Sequence, residues 1–103
     1  MKVYNYFYLE ESPLSPGKYT IRLDFSLLPI YTTSSYNVLM ARVMGLSWAE
    51  FLRYCRDEVG ADVWGRGCLY PVPYFANTPE VRKLVITLNT RLSEIIGRMD
   101  KCI

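Results

Sequence analysis

Residues 77–101, NTPEVRKLVITLNTRLSEIIGRMDK, decide the architecture. They begin Asn77-Thr78-Pro79-Glu80, with a capping side chain, a proline at the first helical position and an acid in the first turn, which together start a helix. Beyond that start, Val81, Val85, Leu88, Leu92, Ile95 and Met99 recur at alternating spacings of four and three, with Leu84 and Ile96 widening the stripe. A helix running to Lys101 at about 1.5 Å per residue is about 33 Å long, roughly the width of a domain this size. A stripe this wide suits burial across a sheet. The narrower use of Val85, Leu88, Leu92, Ile95 and Met99 is a homodimer seam.

The sheet comes from the other end of the chain. Residues 18–27, KYTIRLDFSL, place Tyr19, Ile21, Leu23, Phe25 and Leu27 at strict period two, and residues 2–10, KVYNYFYLE, are aromatic and β-prone. Between them Pro13, Pro16 and Gly17 turn the chain, so an antiparallel hairpin is expected. On the first strand Val3, Asn5, Phe7 and Leu9 share one face, and Tyr4, Tyr6 and Tyr8 the other. With Thr20, Arg22 and Asp24 beside them, the tyrosines form either an exposed protein-binding patch or a layer packed under helices. Tyr4, Tyr6, Tyr8 and Arg22 are the candidate partner-binding residues, and Tyr6→Ala is expected to weaken a complex without harming the fold. The same face can be read as a stacking platform for single-stranded nucleic acid.

The middle of the chain reads as two short helices and a second hairpin. Thr32 to Ser35 can cap a helix carrying Val38, Leu39, Val43 and Met44, which Gly45 closes. Ser47 and Glu50 have the spacing of a capping box, and the helix they start should run to about Val59, with Gly60 as its stop. The stretch ADVWGRGCLYPVPYF turns at Gly65-Arg66-Gly67. Pro71 and Pro73 have the same parity, so their missing amides lie on one side and mark an edge strand.

With Gly45 as a turn glycine, Ala41 takes the small position four before it and Phe51 the buried position six after. Met40, Met44, Leu46 and Tyr54 then fill the remaining apolar positions, so residues 37–56 resemble a helix-turn-helix of the repressor type. The resemblance implies nucleic-acid contacts from Ser47, Arg53 and Arg56; Arg66, beside Trp64, is a further candidate. Against it stands the stripe Trp48, Phe51, Leu52, Cys55 and Val59. If that stripe is the core face, solvent meets Ala49, Glu50, Arg53, Arg56 and Asp57, a mixed set with no Asn or Gln for adenine.

Composition bounds the rest. The 103 residues suit a single domain, 1–103, and with 50% hydrophobic and 21% charged residues they have enough apolar side chains for a packed core. A net charge of +2 is too small for the field that drives nonspecific binding to DNA or anionic membranes. Nine Tyr, four Phe and two Trp suit surfaces that are half dry and half wet. No histidine is present, which removes Ser/His and Cys/His nucleophile activation and leaves Cys55, Cys68 and Cys102 without a Cys/His zinc pattern. Asp57, Glu58 and Asp62 could attract a divalent cation, but clustered acids are more often solvated. Neither a phosphate-binding loop nor a dinucleotide fingerprint occurs. Met1-Lys2-Val3 leads straight into strand-like sequence, with no apolar signal-peptide core and no membrane-spanning run, so a reducing cytoplasm and free thiols are expected, with a Cys55–Cys68 disulfide as the alternative.

The expected fold is α+β in the order ββααββα, antiparallel hairpins packed against helices, the C-terminal one long. The expected function is a non-enzymatic interaction module of inhibitor or adaptor type, with a protein partner, no cofactor and no metal. Compact, motif-poor chains of this kind are common among accessory proteins of phages and other mobile elements. The alternative is a nucleic-acid-binding regulator.

Overall fold

The computed structural model describes residues 2–13, 15–27, 36–64 and 72–101. The elements follow the expected order: β1 (Phe7–Glu11), β2 (Tyr19–Leu23), a short 3₁₀ turn (Phe25–Leu27), α1 (Tyr36–Val43), α2 (Trp48–Glu58), β3 (Asp62–Trp64), β4 (Val72–Tyr74) and α3 (Pro79–Lys101). The protein is a small α+β fold. The expected cap at Thr32–Ser35, the turn at Gly65-Arg66-Gly67, Pro71, Cys68 and Cys102 lie outside the described residues.

β1 and β2 pair antiparallel with Phe7 opposite Leu23 and Leu9 opposite Ile21. Phe7, Ile21 and Leu23 are buried and Leu9 partly so, which makes this the inner face of the hairpin. The strands differ from the expectation at both ends. β2 stops at Leu23 instead of continuing to Leu27, because Asp24 accepts from both the Ser26 amide (3.1 Å) and the Ser26 hydroxyl, and its carbonyl takes the Leu27 amide at 3.2 Å. A local side-chain bond of this kind competes directly with the ladder. Phe25 and Leu27, read as inward residues, are consequently exposed.

Ahead of β1, residues 2–6 run along α3 instead of extending the strand. Ser93 on α3 accepts the Tyr4 amide at 3.0 Å. One turn earlier, buried Asn89 grips the backbone of Phe7 on both sides: its Oδ1 accepts the Phe7 amide at 2.6 Å and its Nδ2 donates to the Phe7 carbonyl at 3.0 Å. Burial of Phe7 contributes about 2–3 kcal/mol by apolar transfer alone. Its backbone groups must be satisfied for that burial to be net favourable.

The second hairpin joins the first at a single bridge. Tyr19 and Phe75 exchange both backbone hydrogen bonds, at 2.7 and 2.8 Å. Continued pairing would set Ile21 opposite Pro73, which has no amide to offer, so the ladder cannot extend. The expected edge thus carries one bridge, at the first position beyond Pro73 where an amide is available. Pro73 and Phe75 are both buried, in keeping with their common parity.

α1 ends in a Schellman arrangement. The Gly45 amide donates to the Arg42 carbonyl (3.0 Å) and the Leu46 amide to the Ala41 carbonyl (3.0 Å), with Gly45 at φ 73°, where a Cβ is disfavoured. Ser47 then caps α2 in a full capping box with Glu50. Val81, Leu84, Leu88 and Leu92 of α3 meet Phe51 and Cys55 of α2, Met40 of α1 and the inner faces of both hairpins in one core.

Removing the Asn89 amide strands a buried donor and a buried acceptor, so Asn89→Ala is expected to cost about 2–3 kcal/mol in urea unfolding. Ile86→Ser, on the exposed side of the same helix, should stay within about 0.5 kcal/mol of wild type.

Candidate functional site

Six large hydrophobic side chains are exposed among the described residues, and five of them, Val3, Tyr4, Tyr8, Phe25 and Leu27, belong to the N-terminal hairpin and its flanks. The strands position them. Tyr8 lies opposite Arg22 on the solvent face, and Arg22 Nε sits 3.9 Å from the Glu10 carboxylate. The Asp24 amide donates to the Tyr6 carbonyl at 2.8 Å, which brings the Phe25–Leu27 turn to the end of the hairpin where Tyr4 and Val3 enter.

The expected tyrosine row is broken in the middle. Tyr4 and Tyr8 are each 42% exposed, whereas Tyr6 is 4% exposed and belongs to the core cluster. Tyr6 and Phe7 are consecutive and both buried, so the chain is covered on both sides at this point. The Tyr4 ring leans on Tyr6 with centroids 5.8 Å apart, and Lys2 lies over Tyr4 at 5.2 Å. Tyr6→Ala is therefore expected to cost stability, contrary to the expectation that it spares the fold. The exposed set that remains is Tyr4, Tyr8 and Arg22, joined by Phe25 at 60% exposure and by Leu27. The period-two pattern of β2 concealed these last two; the Asp24–x–Ser26 spacing was the local signal that the strand stops.

The residues of the helix-turn-helix resemblance lie on α1, α2 and the turn between them, and the apolar stripe of α2 is turned inward. Trp48 is half-buried with its ring 5.9 Å from Phe51, and Phe51 and Cys55 are fully buried, so the apolar stripe of α2 faces the core. The Trp48 indole N–H meets no acceptor among the described residues. Ser47 is occupied as the cap, its Oγ accepting the Glu50 amide at 3.2 Å. Arg56 pairs with Asp57 at 3.1 Å, and Arg53 acts electrostatically on Glu50. An open groove of 310 Å³ along this face is lined by Glu50, Asp57 and Glu58 against Arg53. A second groove of 240 Å³ adjoins it at Tyr54 and Glu58. Arg66 lies outside the described residues.

Four of the five seam residues of α3 are used inside the fold. Leu88 and Leu92 are buried, Val85 and Ile95 are partly buried against the core, and the Met99 side chain lies outside the described part. Asp57, Glu58 and Asp62 are exposed and form no metal-holding group among the described residues. Cys55 is a free, fully buried thiol, pushed up to about 12 by desolvation. No described helix is long and apolar enough to cross a membrane.

No family model, curated protein or solved structure matches the chain. Its own geometry carries the functional argument.

Two outcomes follow from the α2 face and its cap. The Ser47 hydroxyl, followed by the Ser47 amide, holds the Glu50 carboxyl below its ordinary range. A depressed carboxylate stabilises above its unfolded pKa and loses that contribution as pH falls through the folded value. Urea unfolding across pH should find Glu50→Gln weaker than wild type at neutral pH and equal to it in acid, with Ser47→Ala costing about 1 kcal/mol. Cys55, protonated at neutral pH, should resist iodoacetamide in the native protein and react on unfolding.

Proposed function

We propose that this chain is a small non-enzymatic interaction module that binds another protein through the exposed aromatic end of its N-terminal hairpin. Tyr4, Tyr8, Phe25 and Leu27 supply the apolar contact, and Arg22 with Glu10 the polar rim. One observation carries the reading: nearly all large apolar side chains left exposed among the described residues gather on this one hairpin and its flanks. Exposed apolar surface rimmed by polar groups marks contact sites, and Tyr, Phe and Arg are enriched at their cores.

An inhibitor or adaptor role suits a chain that offers a contact surface without an assembled catalytic group among the described residues. A reducing cytoplasm suits the free Cys55 thiol. Nucleic acid fits the same surface less well, because Glu10 and Asp24 flank Arg22 on its own face of the hairpin and would repel phosphates. The surface of α2 has the same difficulty. A homodimer through α3 would have to take Leu88 and Leu92 out of the core.

Affinity capture from the native host with wild type and with the pair Tyr8→Ala, Phe25→Ser tests the proposal. The double variant should melt like wild type, since both side chains are exposed, and should lose the partner that wild type retains. Retention of the same partner, or a gel shift whose affinity falls steeply with salt, overturns it. Tyr6→Ala, by contrast, should destabilise by about 3 kcal/mol in urea unfolding.

A further inference from the structure

The outer edge of β1 is open for part of its length. In the β1–β2 ladder the even-numbered residues face inward: the Ser12 amide donates to Lys18 at 2.8 Å, and the Asp24 amide to Tyr6 at 2.8 Å. Phe7, Leu9 and Glu11 therefore turn their N–H and C=O groups away from β2. Asn89 occupies both groups of Phe7. On that side Leu9 and Glu11 meet no hydrogen-bond partner among the described residues.

The direction of α3 supplies a floor for this edge. Asn89 contacts Phe7 and Ser93 contacts Tyr4, so the helix runs opposite to the strand. The turn before Asn89 thus leads toward Leu9 and Glu11. It carries Ile86, three residues before Asn89, turned toward solvent and 65% exposed.

We propose that this edge receives an extended basic segment of a partner protein, which adds as a further strand on Leu9 and Glu11 and lays an apolar side chain against Ile86. Strand addition to an open sheet edge is a recurrent mode of peptide recognition. The proposal rests on the protein-binding reading and names the partner's shape and sign. Charge selects the occupant. Glu10 and Glu11 are exposed, Glu10 has Arg22 only at 3.9 Å, and Glu11 has no ion pair among the described residues. A second copy pairing Leu9 with Glu11 of its mate would set the two Glu10 carboxylates directly opposite, which is unfavourable. Lysine or arginine at alternate positions of the incoming strand reverses that sign.

The test is NMR on the full chain with a capped hexapeptide alternating lysine and valine, and its glutamate counterpart. In the free protein the Leu9 and Glu11 amides should exchange faster than those of Tyr8 and Glu10. With the lysine peptide at ten times its Kd, their exchange should slow about tenfold, while the glutamate peptide has no effect. Glu11→Pro deletes an outward donor without removing a ladder bond and should weaken binding about tenfold. Glu10→Lys with Glu11→Lys keeps every amide and should transfer the preference to the glutamate peptide. Equal binding of both peptides to wild type, or lysine-peptide shifts confined to Tyr4, Phe25 and Leu27, overturns the proposal. If the edge stays silent while Tyr8→Ala, Phe25→Ser still loses its captured protein, only the edge assignment falls. Failure of both removes the protein-binding reading as well.

Discussion

Asn89 does for β1 what a neighbouring strand would do. Its carboxamide presents an acceptor and a donor at the spacing of a peptide group, and both engage Phe7 across 82 residues of sequence. The rest of the hairpin follows from that grip. It fixes which side of β1 faces α3, keeps the Phe7 ring in the core, and satisfies two buried polar groups. Because a one-residue slip would send every inner side chain outward, a bond that holds Phe7 alone also holds the register of Leu9, Ile21 and Leu23.

A second constraint divides the strands into two hairpins. Pro73 lacks the donor that Ile21 would need, so β2 and β4 touch only at Tyr19 and Phe75. The hairpins can then tilt against different helices, the first against α3 and the second against α2, with one core filling the space between. Proline here limits sheet growth within the chain, in the way it limits pairing between chains elsewhere.

These two constraints leave the N-terminal hairpin exposed on its aromatic side and open along part of its edge. The α2 face lacks that character: its arginines stand among acids, its cap hydroxyl is occupied, and its apolar stripe is spent on the core. That difference in chemistry is the ground on which a protein partner is proposed in preference to nucleic acid.

Much of the architecture was legible in the residues themselves. The capping box at Ser47 and Glu50, the stop glycines at 45 and 60, the Asn77 to Glu80 helix start and the wide stripe of α3 all act within a turn or two of chain, where side-chain chemistry alone decides the backbone. Part of the candidate surface was legible on the same grounds, since Tyr8 and Arg22 face solvent by simple alternation. The rest depended on contacts between distant segments. Tyr4 and Tyr6 have the same parity in sequence, yet only packing decides that one is exposed and the other buried. Asn89 and Ser93 carry no local signal of their role, which exists only once the N-terminal segment comes to lie on them. Local propensity sets how each piece folds. Which faces remain for a partner is set by which long-range contacts consume the others, and those exist only once the chain has closed on itself.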